Sequence, residues 1–206
     1  NYSMKKILLG TTNNAKIEMI KSVSGGLNFQ FFSLKDFGLE NYDVEETGKS
    51  EKENAFIKAK KYYELSNSPV LSIDTGLYLE GLSSDKQPGV FVRRLVGEKA
   101  TDREMTDYYK ELIKKLGGSV TGKWKVAYCF MKNESENETY EVETSRTFVD
   151  IESTSYVTGY PLAAIQIENK LKKYVSEISE EEKKTLDYEY AKKVREILES
   201  IYLNLN

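Results

Sequence analysis

Apolar and polar positions along this chain alternate between two periods, and the switches mark the elements. Lys5-Lys6-Ile7-Leu8-Leu9-Gly10-Thr11 reads as a short buried strand, and Thr12-Asn13-Asn14 as the turn after it. Ala15 to Val23 then carries Ile17, Ile20 and Val23 at helical spacing. Gly25-Gly26 ends that helix, and Phe29 to Leu34 forms a second strand. Ser50-Glu51-Lys52-Glu53 matches a capping box that opens a helix running to about Leu65. Pro69 to Asp74 is a further buried strand. Thr101-Asp102-Arg103-Glu104 caps a helix that ends before Gly117-Gly118. Val126, Tyr128 and Phe130 alternate as a half-buried strand, and Tyr140 to Val149 is expected to pair with it. Ser179 opens the last helix, where Tyr190, Val194, Ile197 and Ile201 recur as a core stripe. Strand, turn and helix in repeated succession predict an α/β fold.

Length and composition narrow this picture. The 206 residues, 39% of them hydrophobic, suit one domain, expected to run from Met4 to Asn206, with Asn1 to Ser3 set aside as an added remnant. No internal repeat or linker interrupts it, and only 3 Pro residues occur. Lys and Arg number 30 against 33 Asp and Glu, a balance that argues against binding a nucleic-acid polymer through a basic surface. No apolar run approaches the ~18 residues of a membrane helix and no signal pattern opens the chain, so a cytoplasmic protein without membrane partners is expected.

Two scarcities constrain the chemistry further. The chain has no His, which excludes serine-hydrolase and papain-like triads. Its one Cys, Cys129, excludes an intrachain disulfide and a thiolate zinc cluster. A catalytic metal would need oxygen ligands, which points to Mg²⁺ or Mn²⁺. A general base would be a carboxylate, a Lys or a Tyr.

Three segments offer such chemistry. Thr11-Thr12-Asn13-Asn14-Ala15-Lys16 leads a strand into a helix N-terminus, where unpaired N–H groups and Lys16 suit a phosphate. Taken alone it reads as an Asn-capped helix with an exposed lysine. Val44-Glu45-Glu46-Thr47-Gly48 precedes the helix on which Asn54 and Lys58 share a face at i and i+4, with Ala55 and Ala59 as a small-residue stripe. In isolation that is an ordinary amphipathic helix behind a solvated acidic loop. Leu71-Ser72-Ile73-Asp74-Thr75-Gly76 carries an apolar strand into Asp74, either a carboxylate at a strand's end facing a cleft or the start of a turn with Gly at positive φ.

In order, Thr-x-Asn-x-x-Lys, Glu-Glu-Thr-Gly, Glu-Asn-Ala-x-x-Lys-Ala, Asp-Thr-Gly-Leu and Pro88-Gly89-Val90-Phe91 resemble the inosine triphosphate pyrophosphatase family, which acts on non-canonical purine nucleotides. The resemblance runs from Lys6 to about Leu116 and is fainter through Gly159-Tyr160-Pro161 and Ser179 to Lys183. It implies a long mixed sheet flanked by helices, with a nucleotide cleft between two lobes, in a homodimer. It also implies Mg²⁺-dependent cleavage of a nucleoside triphosphate to monophosphate and pyrophosphate. Position by position, Thr11, Asn13 and Lys16 would cradle the triphosphate, and Lys58 would reach it. Glu46 would bind metal, and Asp74 would bind metal or orient the attacking water. Arg94, Tyr160 and Lys183 would contact the substrate.

The chain departs from the family pattern in three places. Ile73 stands where the family has a second acid. Thr158-Gly159-Tyr160-Pro161 lacks the aromatic before Gly and the Asp before Pro. Asp187-Tyr188-Glu189 replaces the Ser-His-Arg that helps read a purine 6-oxo group, and an ionised Glu189 cannot donate to a carbonyl. Alternatives are therefore a nucleotide-binding homologue with weak or lost catalysis, or a pyrophosphatase with another nucleotide preference.

Overall fold

Ile7 and Leu9 fall into one apolar cluster and Leu8 into another, so the first strand, β1 (Lys5–Gly10), is apolar on both faces and has to be covered on both. The computed structural model, which describes residues 3–186 and 188–206, supplies that cover with helices. After β1 come α1 (Asn14–Ser22), β2 (Phe29–Phe32), α2 (Glu51–Ser66) and β3 (Val70–Leu79). α3 (Asp102–Lys115), β4 (Ser119–Met131), β5 (Asn137–Val149), β6 (Gln166–Glu168) and β7 (Lys173–Tyr174) follow, then α4 (Glu180–Leu186) and α5 (Tyr188–Asn204). The strands form one mixed sheet in the order β2-β1-β3-β4-β5-β6-β7. β1 pairs in parallel with β2 and β3, whereas β6 pairs antiparallel with β5 and β7. The expected α/β class with a mixed sheet is borne out.

The chain divides into two compact units, one of Asn1–Thr75, Val126–Val142 and Glu189–Asn206, the other of Gly76–Lys125 and Glu143–Tyr188. In the first unit, Ile20 of α1 and Val194, Ile197, Leu198 and Ile201 of α5 pack with Ile7, Leu9, Leu71 and Ile73. Ala55, Ala59 and Tyr62 of α2 pack with Leu8, Val70, Ala127, Cys129 and Met131. Both alanines are fully buried, so their missing bulk lets α2 approach the sheet closely. In the second unit, Met105, Tyr109 and Ile113 of α3 pack with Leu77, Leu79, Val120 and Phe148. Arg103 there donates to Asp107 and to both carboxylate oxygens of Glu152, which also accepts from Lys110 at 2.9 Å.

Three expectations need correction. The strand through Val126, Tyr128 and Phe130 is not half-buried, because Ala127, Cys129 and Met131 on its other face pack into the second cluster. β2 stops at Phe32, and Leu34–Phe37 is a single 3₁₀ turn closed by Gly38 at φ 68°. The capping box at Ser50 is half made: Ser50 Oγ accepts the Glu53 N–H, but Glu53 Oε2 takes the Lys49 N–H at 2.7 Å instead of that of Ser50. On the last helical segment the described residues on either side of Asp187 are helical, α4 up to Leu186 and α5 from Tyr188, and Asp187, like Asn1 and Tyr2, lies outside the described residues. The boxes at Thr101–Glu104 and Ser179–Glu182 form in full.

Candidate active site

Asn54 is only 1% exposed, and its position on the first turn of α2 points it at the loop before the helix. Its Oδ1 accepts the Gly48 N–H at 2.8 Å. A Cβ on Gly48 would come within 2.6 Å of that oxygen and 2.7 Å of Glu53 Cβ, so the close approach needs glycine. The bond fixes the loop two residues beyond Glu46. One turn along α2 from Asn54, on the same face, stands Lys58.

Lys58 gathers the acids. Its Nζ donates to the Ile73 carbonyl at 2.6 Å and to Asp74 Oδ1 at 3.3 Å, and it lies 3.4 Å from Glu46 Oε1. Glu46, Lys58 and Asp74 therefore meet, as their motifs imply. Burial pushes the Asp74 carboxyl up to about 6; the Lys58 ammonium opposes that rise, and the nearby Glu46 charge adds to it. Asn54 lies near enough to favour the ionised form but makes no hydrogen bond to Asp74 Oδ2. That oxygen is buried and has no hydrogen-bond partner among the described residues. An orphaned carboxylate oxygen beside a second acid fits a hard cation, and it is the kind of vacant acceptor that needs explaining in a folded protein. Among the described residues no group of three or more acidic, Cys or His side chains converges, so water and phosphate oxygens would complete such a cation's shell.

Asp74 does not end its strand. β3 continues through Thr75 and Gly76 because Leu77 and Leu79 pack into the core of the second unit. Gly76 is absent from the residues with positive φ, which excludes the Asp-initiated turn. Yet Asp74 still stands at a strand's carboxyl end, that of its neighbour. β1 runs parallel to β3 and stops at Gly10, opposite Ser72, so Asp74 lies two residues past the point where β1 leaves the sheet. A Cβ on Gly10 would lie 2.5 Å from Ser72 Oγ and 2.8 Å from the Tyr62 ring, which accounts for glycine at this crossing.

The turn after β1 caps α1. Asn13 Oδ1 accepts the Lys16 backbone N–H at 3.1 Å, and Thr11 Oγ1 accepts the Asn13 N–H at 3.1 Å. The Thr11 hydroxyl proton and the Asn13 amide N–H₂ are not used by those bonds and suit an anion at the helix start. The Lys16 ammonium donates to the Tyr190 hydroxyl at 3.1 Å. Arg94, Tyr160 and Lys183 belong to the second unit and sit on separate segments. Arg94 is exposed, its guanidinium 5.7 Å from the Phe91 ring centre. Tyr160 is half exposed and follows Gly159, which has φ 85°. Lys183 pairs with Glu180 at 3.1 Å on α4. Motif reading missed the bracing roles of Asn54 and Gly48, although a Gly after the acids and an Asn four residues before Lys58 carried the signal.

A model of the Ham1 family matches residues 7–197. The chain belongs to the Ham1 family. The resemblance drawn from the ordered motifs agrees with this membership. A dITP/XTP pyrophosphatase of Thermoanaerobacter pseudethanolicus is 41% identical over 113 residues, 55% of this chain, and the chain spans about half (54%) of that relative's length in the match. A dITP/XTP pyrophosphatase of Halalkalibacterium halodurans is 28% identical over 91% of this chain and 94% of its own. The solved structure of a HAM1 protein from Coxiella burnetii superposes with a TM-score of 0.79 at 23% identity, covering 96% of this chain and all of that one, which shows the shared fold. Among the described residues no helix is long and apolar enough to cross a membrane.

Proposed function

We propose that this Ham1 family chain hydrolyses non-canonical purine nucleoside triphosphates, dITP and XTP first among them, to nucleoside monophosphate and pyrophosphate with Mg²⁺, or Mn²⁺ in its place. The observation that carries the reading is the meeting of Glu46 and Asp74 on Lys58, with Asp74 Oδ2 buried and unmatched. The names of relatives matched over nearly the whole chain and over about half of it support the substrate class. Glu46 and Asp74 would hold the divalent cation, which when bound supplies neutralisation of phosphate charge. Asp74 orients the attacking water and accepts its proton as the α-phosphate takes the oxygen and pyrophosphate leaves. Lys16, Thr11 and Asn13 bind the phosphate tail at the start of α1. Lys58 holds both carboxylates beside that tail. Arg94, Tyr160 and Lys183 take the nucleotide contacts their motifs imply. The working form is a cytoplasmic homodimer.

Incubating the protein with dITP, XTP and the common nucleotides, with Mg²⁺ and a pyrophosphate assay, tests this directly. Pyrophosphate from dITP or XTP is the expected product. Orthophosphate without pyrophosphate would contradict the mechanism.

One observation favours a second reading, a nucleotide binder with weak catalysis. Ile73 is packed in the apolar core and offers Lys58 only its carbonyl, so this strand contributes a single carboxylate. Nucleotide binding without pyrophosphate release would select it.

A further inference from the structure

Tyr128 is fully buried, and its hydroxyl has one hydrogen-bond partner among the described residues, the Tyr190 hydroxyl. Tyr190 sits at the start of α5 and also accepts from the Lys16 ammonium at 3.1 Å, with Lys16 close to the ring as well. All three residues belong to the first unit. The protons in this chain can be assigned. An ammonium only donates, so one Tyr190 lone pair is taken by Lys16. Between the two hydroxyls either can donate. Were Tyr190 the donor, the Tyr128 proton would be left without an acceptor inside an apolar cluster, a costly arrangement. With Tyr128 as donor, every group at the buried end is matched. Burial drives the Tyr128 phenol well above its ordinary titration range, so it keeps the proton it donates. What remains is the Tyr190 proton, half-buried and next to Lys16, without an acceptor of its own among the described residues.

We infer that Tyr190 is a substrate-binding residue: its hydroxyl, oriented by Tyr128 and paired with Lys16, donates to a phosphate oxygen of a polyphosphate ligand. The inference rests on the proposed placement of the phosphate tail at Lys16. Tyr190 directly follows Tyr188-Glu189, where the family's base-reading residues are replaced, so α5 here contributes to holding phosphate through a residue that the family motifs do not include.

Calorimetric titration of the full chain with inorganic tripolyphosphate and Mg²⁺ tests it, with thermal melting as a check on folding. Tyr190→Phe keeps the ring and removes the proton, and should weaken tripolyphosphate binding about fivefold or more. Tyr128→Phe removes the donor behind Tyr190 and should leave binding within about twofold, since a neutral hydrogen bond lost at one remove changes little. Unchanged binding in Tyr190→Phe would overturn the inference, as would absence of tripolyphosphate binding by the wild-type chain. Tighter binding in Tyr128→Phe would overturn it too, because the opposite proton order would then have been freed; this arm holds even if Tyr190→Phe fails to fold. Pyrophosphate release from dITP is scored separately. A chain that binds tripolyphosphate through Tyr190 but cleaves no nucleotide keeps this inference and loses the proposed activity. A chain that cleaves dITP with unaltered binding in Tyr190→Phe does the reverse.

Discussion

The buried Asn54 side chain on α2 accepts the Gly48 N–H at 2.8 Å, tying the loop that carries Glu46 to the helix that carries Lys58. Asn54→Ala leaves a buried N–H without an acceptor and should cost about 1–3 kcal/mol of stability. Because Glu46 is then less well placed, turnover should fall by more than the loss of folded protein explains. Denaturant melts alongside kcat, normalised to folded protein, measure both. An Asn54→Ala variant with full specific activity would show that the loop needs no brace.

Asp74 gives a pH signature in metal-free protein. Its folded-state pKa is raised to about 6 from an ordinary 3.8. The stability it contributes is thus fully present below pH 3.8 and is lost as pH rises through 6. Asp74→Asn has no such titration. In EDTA the variant should gain on wild type between pH 4 and pH 7, by on the order of 2 kcal/mol. The same variant should lose nearly all pyrophosphate release. A stability difference that stays flat with pH would mean that Asp74 is not desolvated.

Local signals explain what could be read along the chain. The caps by Asn13, Ser50, Thr101 and Ser179 depend on atoms three residues apart, and each forms. The ordered motifs around Glu46, Lys58 and Asp74 were legible for the same reason: each is a short segment with its own signature. Distant packing decided the rest. Whether β3 stops at Asp74 depends on where Leu77 and Leu79 find a core, and a motif window cannot show that. The stretch Val126–Met131 reads as alternating until α2 covers its second face with Ala55 and Ala59. Tyr190 reads as one more apolar position on a helix, and its role depends on Tyr128 and Lys16, both remote in sequence.

Glu152 offers an independent pH test in the second unit. The Arg103 hydrogen bonds, with help from Tyr156 and Lys110, lower its pKa to about 2 from 4.5. Its contribution is present above pH 4.5 and is lost as pH falls through 2. Since the pair is partly open to solvent, Glu152→Gln should cost only about 1 kcal/mol at pH 7. The gap to wild type should close on acidification towards pH 2. Chemical denaturation at a series of pH values reads it, and a gap that widens in acid would refute the assignment.

The proposed activity depends above all on Glu46 and Asp74 forming one cation site beside Lys58. Electron paramagnetic resonance titration of Mn²⁺ into the full chain, with tripolyphosphate present, measures that site without relying on turnover. Wild-type protein should bind one Mn²⁺ that Mg²⁺ displaces, and Glu46→Gln and Asp74→Asn should each weaken it about tenfold or more. Mn²⁺ binding that neither substitution alters would place the metal elsewhere and contradict the account.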